Sequence, residues 1–179
     1  MSCIQPIRIK TIKKADENGM ERLETARHVV PCGKCPQCRQ RRANAWIFRL
    51  LKEERIHKTA LFVTLTYDSD HVPITPKKFM TLDKRDCQLF MKRLRKNTGR
   101  KTIKYYLCGE YGSTTFRPHY HAIMYDVTHE EIDAAWQLGG IYVGQVTGQS
   151  IGYTTKYMCK EKRIPMHSND DRAVSYTHL

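Results

Sequence analysis

Apolar and polar positions along the chain change period several times, and each change marks an element. Residues 60–67 (ALFVTLTY) form an apolar run followed by a loop carrying Pro73 and Pro76, the pattern of a buried strand. Cys87, Phe90, Met91 and Leu94 then recur at i, i+3, i+4 and i+7 within residues 82–97, which predicts one apolar helix face, and Gly99 supplies a stop. Two strands follow, 103–111 (IKYYLCGEY) and 117–125 (RPHYHAIMY), joined by a short turn. Thr128 and Glu131 have capping-box spacing ahead of Ile132, Ala135 and Trp136, and Gly139-Gly140 ends that helix. Residues 141–146 return to a strand pattern, and 150–162 read as a last helix.

Upstream, residues 6–13 and 22–30 alternate loosely around Asn18-Gly19, a hairpin-turn dipeptide. Residues 39–57 read as a helix with Trp46, Leu50 and Leu51 on one face and Arg39, Arg42, Arg49 and Lys52 largely elsewhere. No repeat is visible. The order βαββαβα with short connections predicts an α+β fold on an antiparallel sheet. Three segments are expected: 1–58, a hairpin, cysteine cluster and Arg-rich helix; 59–165, the catalytic core; and 166–179, a tail without core pattern that reads as truncated or partly non-native.

Composition narrows the class. The chain has 179 residues, 40% of them hydrophobic and 9% aromatic, enough for a packed core and unlike a disordered chain. No apolar run approaches the roughly eighteen residues of a membrane span, and residues 1–10 lack a signal-peptide core, so a soluble, non-secreted protein is expected. Net charge is +13, which points to a polyanionic partner, nucleic acid first. Residues 1–60 hold 14 Lys/Arg against 6 Asp/Glu. Further along, Lys92, Arg93, Arg95, Lys96, Arg100, Lys101 and Lys104 form a run without an acid. Candidate phosphate-gripping residues are therefore Arg39, Arg41 and Arg42 on the first helix, Lys92 to Lys101 of the run, and Arg117 at the head of the following strand. Such contacts set affinity, not sequence preference.

Chemistry enters at His119-Tyr120-His121. Successive strand residues point to opposite faces, so the two imidazoles share one face about 7 Å apart along the strand. Glu110 ends the preceding strand, and antiparallel pairing would bring its carboxylate to the same place. Two imidazoles and a carboxylate with open positions suit a divalent ion that also binds substrate, and Mg²⁺ or Mn²⁺ fits a phosphate better than a closed zinc site. Tyr153 and Tyr157 lie at i, i+4 on the last helix, with Lys156 beside them. Tyrosines at this spacing are ordinarily core residues. As a nucleophile, a phenol needs about 4 kcal/mol to ionise at pH 7, which a metal ion and an ammonium such as Lys156 can offset.

Cys32-Gly-Lys-Cys35-Pro-Gln-Cys38 has metal-ligand spacing. A tetrahedral Zn²⁺ needs a fourth ligand from Cys3, His28 or another cysteine. Cys3 is the choice here, because the 6–30 hairpin would return the chain to its start. An iron–sulfur cluster uses the same spacing. The role expected for the site is structural: it fixes the start of the Arg-rich helix. Cys87, Cys108 and Cys159 fall on apolar faces and read as core.

Taken in order, PCGKCPQCR, the TLTY segment (Thr64 to Tyr67), Glu110, His119-Tyr120-His121 and the Tyr153/Lys156/Tyr157 helix resemble the HUH endonucleases that initiate rolling-circle replication. They look most like the replication initiators of gokushovirus-like Microviridae. The resemblance covers about residues 1–162. It implies a five-stranded antiparallel sheet with flanking helices and the His pair on a central strand. It also implies a divalent ion on Glu110, His119 and His121, and a tyrosine that attacks single-stranded DNA at a replication origin. The products would be a 5′-phosphotyrosine and a free 3′-OH. Tyr153 and Tyr157 match the two-tyrosine initiators, while Tyr153-x-x-Lys156 also fits the single-tyrosine pattern in which the lysine assists. The implied setting is the host bacterial cytoplasm, with host replication machinery as a further partner. Two other classes remain open: a metal-dependent phosphoesterase using activated water, and a non-enzymatic zinc-containing DNA-binding module.

Overall fold

The Tyr120 hydroxyl, between the two histidines, shows how the sheet is oriented. It donates to Asp83 O (2.9 Å), accepts from Asp83 N–H (3.0 Å) and meets the Tyr67 hydroxyl at 2.9 Å, all on one side of the sheet. The computed structural model describes residues 3–12, 25–156, 164–174 and 177–178. In chain order the elements are β1 (Ile7–Ile12), β2 (Thr25–Val30), α1 (Pro36–Glu54), β3 (Ala60–Thr66), α2 (Lys84–Thr98), β4 (Tyr105–Tyr111), β5 (Pro118–Tyr125), α3 (His129–Trp136), β6 (Ile141–Gln145), α4 (Gly148–Lys156) and β7 (Thr177–His178).

β1 and β2 pair antiparallel, Ile7 opposite Val30, as a separate ribbon. The Asn18-Gly19 turn lies outside the described residues. The main sheet runs β6-β3-β5-β4-β7 with every pair antiparallel, so the fold is α+β as the patterning predicts. Four strands of five to eight residues carry this sheet; the edge strand β7 has only two. β5, with the His pair, is central.

Alternation sorts the side chains of the sheet to two faces. Tyr120, Ala122 and Met124 of β5 meet Phe90, Met91 and Leu94 of α2 and Ile132, Ala135 and Trp136 of α3 in the larger core. Ile123 and Tyr125 point the other way, against Leu50 of α1 and Ile151 of α4. His119 and His121 share that second face. It is the face α1 and α4 cover only in part.

The caps explain where the helices begin and end. Asp83 accepts from Arg85 N–H at 2.7 Å, and Gly99 closes α2 with φ of 68°. Both halves of the Thr128/Glu131 capping box are formed. α1 starts at Pro36 rather than 39, since proline at the first helical position has no N–H to leave unbonded. It stops at Glu54 rather than 57, because His57 turns out to bond Asp126 (2.6 Å) and Glu53 (3.1 Å). α4 starts at Gly148, two residues before the expected start, on a reciprocal pair in which Ser150 N–H donates to Thr147 Oγ1 and Thr147 N–H to Ser150 Oγ.

The segment after residue 163 packs more closely than its pattern suggests. Ile164, Asp170 and Arg172 are buried. The Arg172 guanidinium lies 5.1, 5.6 and 5.3 Å from the ring centres of Phe79, Tyr111 and Phe116, and it donates to Asp170 at 2.8 and 2.9 Å. That pairing holds the Asp170 carboxyl well below the usual carboxylate range. Polar residues thus make these contacts, which hydrophobic periodicity cannot detect. Among the described residues, no helix is long and apolar enough to cross a membrane.

Candidate metal and nucleic-acid site

The ladder register builds the first cluster. Glu110 pairs with His119 and Cys108 with His121 across β4–β5, while Thr66 and Thr64 oppose the same two histidines from β3. Glu110 Oε2 lies 3.6 Å from His119 Nε2 and 3.8 Å from His121 Nε2. One ligand atom from each of the three residues falls within 4.8 Å of the others.

The opposite ring nitrogens are held by the protein. His119 Nδ1 sits 3.1 Å from Arg117 O, an acceptor only, so Nδ1 carries the proton and the Nε2 lone pair faces the carboxylate. His121 Nδ1 bonds Thr64 Oγ1 at 3.0 Å. Imidazoles fixed through one nitrogen with the other turned to a carboxylate match the donor set of a divalent ion, and the three side chains fit one. Sequence spacing predicted the three ligands; Thr64, though inside the TLTY segment, is assigned its task only by strand register.

Beside this cluster lies an open cleft of about 530 Å³, lined in part by Phe62, Thr64, His121, Tyr142 and Tyr153. The Phe62 ring stacks on His121 with centroids 5.6 Å apart, and Tyr153 stands edge-on to His121 at 5.3 Å. Of the expected nucleophiles, Tyr153 is therefore at the cluster and 48% exposed. Tyr157 lies outside the described residues. Lys156 lines a smaller groove between α4 and α1, with Gln40, Ala43 and Ile47, and does not line the Tyr153 cleft. Tyr67 and Tyr120 are unsuited to attack: burial pushes both phenols far above their ordinary value, and both are on the other face.

Cys3, Cys32, Cys35 and Cys38 form a second group, with the four sulfurs within 4.8 Å of one another. The β1–β2 ribbon does return Cys3 to the cluster, 3.8 Å from Cys35 Sγ. His28 is exposed on β2 and is not in the group. Lys34 and Cys35 N–H donate to Cys32 Sγ at 3.4 and 3.3 Å, and Cys32 N–H to Cys3 Sγ at 3.3 Å. The bonds from Cys35 and Lys34 lower the Cys32 pKa. Burial opposes ionisation of Cys35, but the backbone N–H groups of Cys38 and Ile4, with the neighbouring thiols, bring it down to about 6. Four sulfurs served by N–H donors fit a tetrahedral thiolate site. Cys87 and Cys108 are buried core residues; Cys159 lies outside the described residues.

The basic residues divide by face. Arg41, Arg42 and Arg49 are exposed on α1, on the histidine side of the sheet, and Arg42 also bonds Gly33 O at 3.4 Å. Arg39, near the cysteines, is half-buried. The 92–104 run follows α2, which packs on the opposite face, so it does not flank the Glu110 cluster as proximity in sequence suggested. Two of its members are structural: Arg93 donates to Ala135 O and Trp136 O at 2.6 and 2.9 Å, and Arg100 bonds Asp126 O and Glu131. Arg117 donates to Tyr67 O at 2.9 Å. Lys92, Lys96 and Lys101 are exposed, and Arg95 is half-buried.

Residues 60–162, from β3 through α4, match the family model of the ORF2-type phage replication-associated proteins. The chain belongs to that family. The matched residues include Glu110, His119, His121 and Tyr153. Replication-associated protein VP4 of Bdellovibrio phage phiMH2K is 31% identical over 95% of this chain and 60% of its own length. Replication-associated protein ORF2 of Spiroplasma virus 4 is 28% identical over 90% of this chain and 61% of its own. Replication-associated protein ORF4 of Chlamydia phage 1 is 27% identical over 82% of this chain and 42% of its own. The chain thus spans about 60% or less of the length of these family members. No solved structure matches it.

Proposed function

We propose that this protein initiates phage DNA replication by nicking single-stranded DNA at a replication origin and rejoining it, with Tyr153 as a nucleophile. The observation that carries the reading is the 5.3 Å approach of the Tyr153 ring to His121, since attacking oxygen and metal-ligating imidazole must share one phosphate. Glu110, His119 and His121 would hold Mg²⁺ or Mn²⁺, which supplies positive charge to the scissile phosphate. Arg117 O and Thr64 Oγ1 keep both Nε2 atoms turned inward. The Tyr153 phenol oxygen attacks phosphorus, its proton passes to solvent through the open cleft, and the bond to O3′ breaks. A 5′-phosphotyrosine and a free 3′-OH result. The new ester keeps the energy of the old one, so a second tyrosine, Tyr157 by spacing, or the 3′-OH itself can reverse the step. Lys156, in the α1–α4 groove, has a lesser part in this scheme than its spacing suggests.

The N-terminal segment 1–58 would act as a grip. Zn²⁺ on Cys3, Cys32, Cys35 and Cys38 would fix the start of α1, whose exposed arginines then lie on the same side as the cleft and contact backbone phosphates. Host replication machinery would extend the 3′-OH, in the host bacterial cytoplasm.

Incubation with 5′- or 3′-labelled oligonucleotide and Mn²⁺ is expected to yield a covalent adduct carrying only the downstream fragment. Tyr153→Phe with Tyr157→Phe should abolish it. An adduct that survives both substitutions overturns the reading. Cleavage without an adduct would indicate a phosphoesterase using activated water. DNA binding indifferent to His119→Ala and His121→Ala, with no cleavage, would indicate a binding module alone.

A further inference from the structure

The cleft before His121 is larger than a phosphate and a phenol require, and its far wall is aromatic. Phe62 lies nearly parallel to His121, 17° between planes, and Tyr153 stands edge-on to Phe62 at 6.4 Å. Tyr142 closes the other side from β6. It pairs with Thr64 in the ladder, so it projects from the same face as the histidines, and it is 67% exposed. Among the described residues its phenol makes no hydrogen bond and its ring no ring contact.

Gly144, two residues further along β6 on the same face, is the register partner of Phe62. A Cβ at that position would stand 3.7 Å from the Tyr142 ring and 3.9 Å from its hydroxyl. The Tyr142 ring therefore leans along the strand over a position without a side chain, and a bare strip is left between it and Phe62. Gln149 is exposed on the rim.

We propose that this strip is a nucleobase subsite. Resting on the nicking reading above, the Tyr142 and Phe62 rings take between them the base of a nucleotide adjoining the phosphate at Glu110, His119 and His121, and the Gln149 amide meets its edge. A flat heteroaromatic ring suits two aromatic walls and a polar rim. The openness of the cleft suits one unit of a continuing strand, because a free small molecule needs burial on most sides. Single-stranded DNA supplies unstacked bases, and the charge of +13 favours its backbone.

The test needs no origin sequence and no cleavage. Fluorescence anisotropy in EDTA would compare a labelled oligothymidylate with an abasic strand of the same length. Wild-type protein is expected to prefer the strand with bases. Tyr142→Ala should weaken oligothymidylate binding by roughly five- to a hundred-fold, the range for loss of one base–aromatic stack, and leave abasic binding unchanged. Tyr142→Phe should retain the preference, and Gly144→Val, which fills the strip with the ring intact, should lose it. Equal losses on both strands, or unchanged binding in Tyr142→Ala and Gly144→Val, overturn the subsite. A wild-type protein that forms no adduct would sink the nicking reading without altering this comparison.

Discussion

Glu110 and His119 are direct partners in the β4–β5 ladder, and their side chains meet with Oε2 3.6 Å from Nε2. Nine residues separate them in sequence, and a turn at 112–117 folds that distance away. The candidate metal cluster is thus a property of one hairpin, with Thr64 of the neighbouring strand added from β3.

Thr64 gives the first prediction. Its hydroxyl fixes the His121 ring from behind, so Thr64→Val should reduce Mn²⁺ affinity by about 10–100-fold while the fold is kept. Calorimetric titration with Mn²⁺ measures it. Affinity equal to wild type would remove Thr64 from the site.

The cysteine group should contain about one zinc per chain by elemental analysis. Cys35→Ser should lower that content and loosen the β1–β2 ribbon and the start of α1, read as faster amide exchange over 25–45. A brown protein containing iron would instead mark an iron–sulfur cluster.

His57 joins the end of α1 to the end of β5, and its stabilising effect should depend on pH. Its hydrogen bond to Asp126, with a second to Glu53, raises the His57 pKa above 6.5, while the same contacts lower those of Asp126 and Glu53. A raised histidine stabilises fully below 6.5 and loses its effect as pH rises through the folded value. The lowered carboxylates stabilise above their ordinary 3.8 and 4.5 and lose their effect on acidification. The bridge should therefore be strongest between about pH 4.5 and 6.5, with Lys104 on Glu53, Arg100 on Asp126 O and the stacked Tyr125 ring as its other neighbours. Thermal melts of wild type and His57→Gln should converge as pH rises above this window; a constant difference up to pH 9 would refute the linkage.

Gly139 has φ of 152°, and a Cβ there would fall 2.4 Å from both Asp68 N and Thr66 O, which are backbone atoms that cannot swing aside. Gly139→Ala should destabilise by roughly 2–4 kcal/mol in chemical denaturation. A loss below about 0.5 kcal/mol would show that the α3–β6 turn adapts.

Arginines on the two faces should respond differently. Arg41→Ala should lower the salt dependence of single-stranded DNA binding by nearly one counterion. Arg93→Ala should instead lower stability, since it uncovers the carbonyls of Ala135 and Trp136 at the end of α3. Equal changes in salt slope for both would contradict this division.

Much of this was readable in the chain. The i, i+3, i+4 spacing of Cys87, Phe90, Met91 and Leu94 and the Thr128/Glu131 box located their helices because both signals are local. The His-x-His pair and the Cys-x-x-Cys-x-x-Cys run named metal-type groups for the same reason: a strand's period of two and a tight turn set their geometry. What the sequence alone could not determine depends on which elements face each other. The Lys92–Lys101 run appeared near the site in sequence, yet α2 covers the opposite face. Arg172 had no pattern around it until Phe79, Tyr111 and Phe116 enclosed it. The cleft walls, Phe62 with Tyr142 and Tyr153, come from two strands and a helix that no spacing connects. Local hydrogen bonding and residue periodicity decide elements and ligand pairs; side chains from distant segments become neighbours only through sheet register and packing.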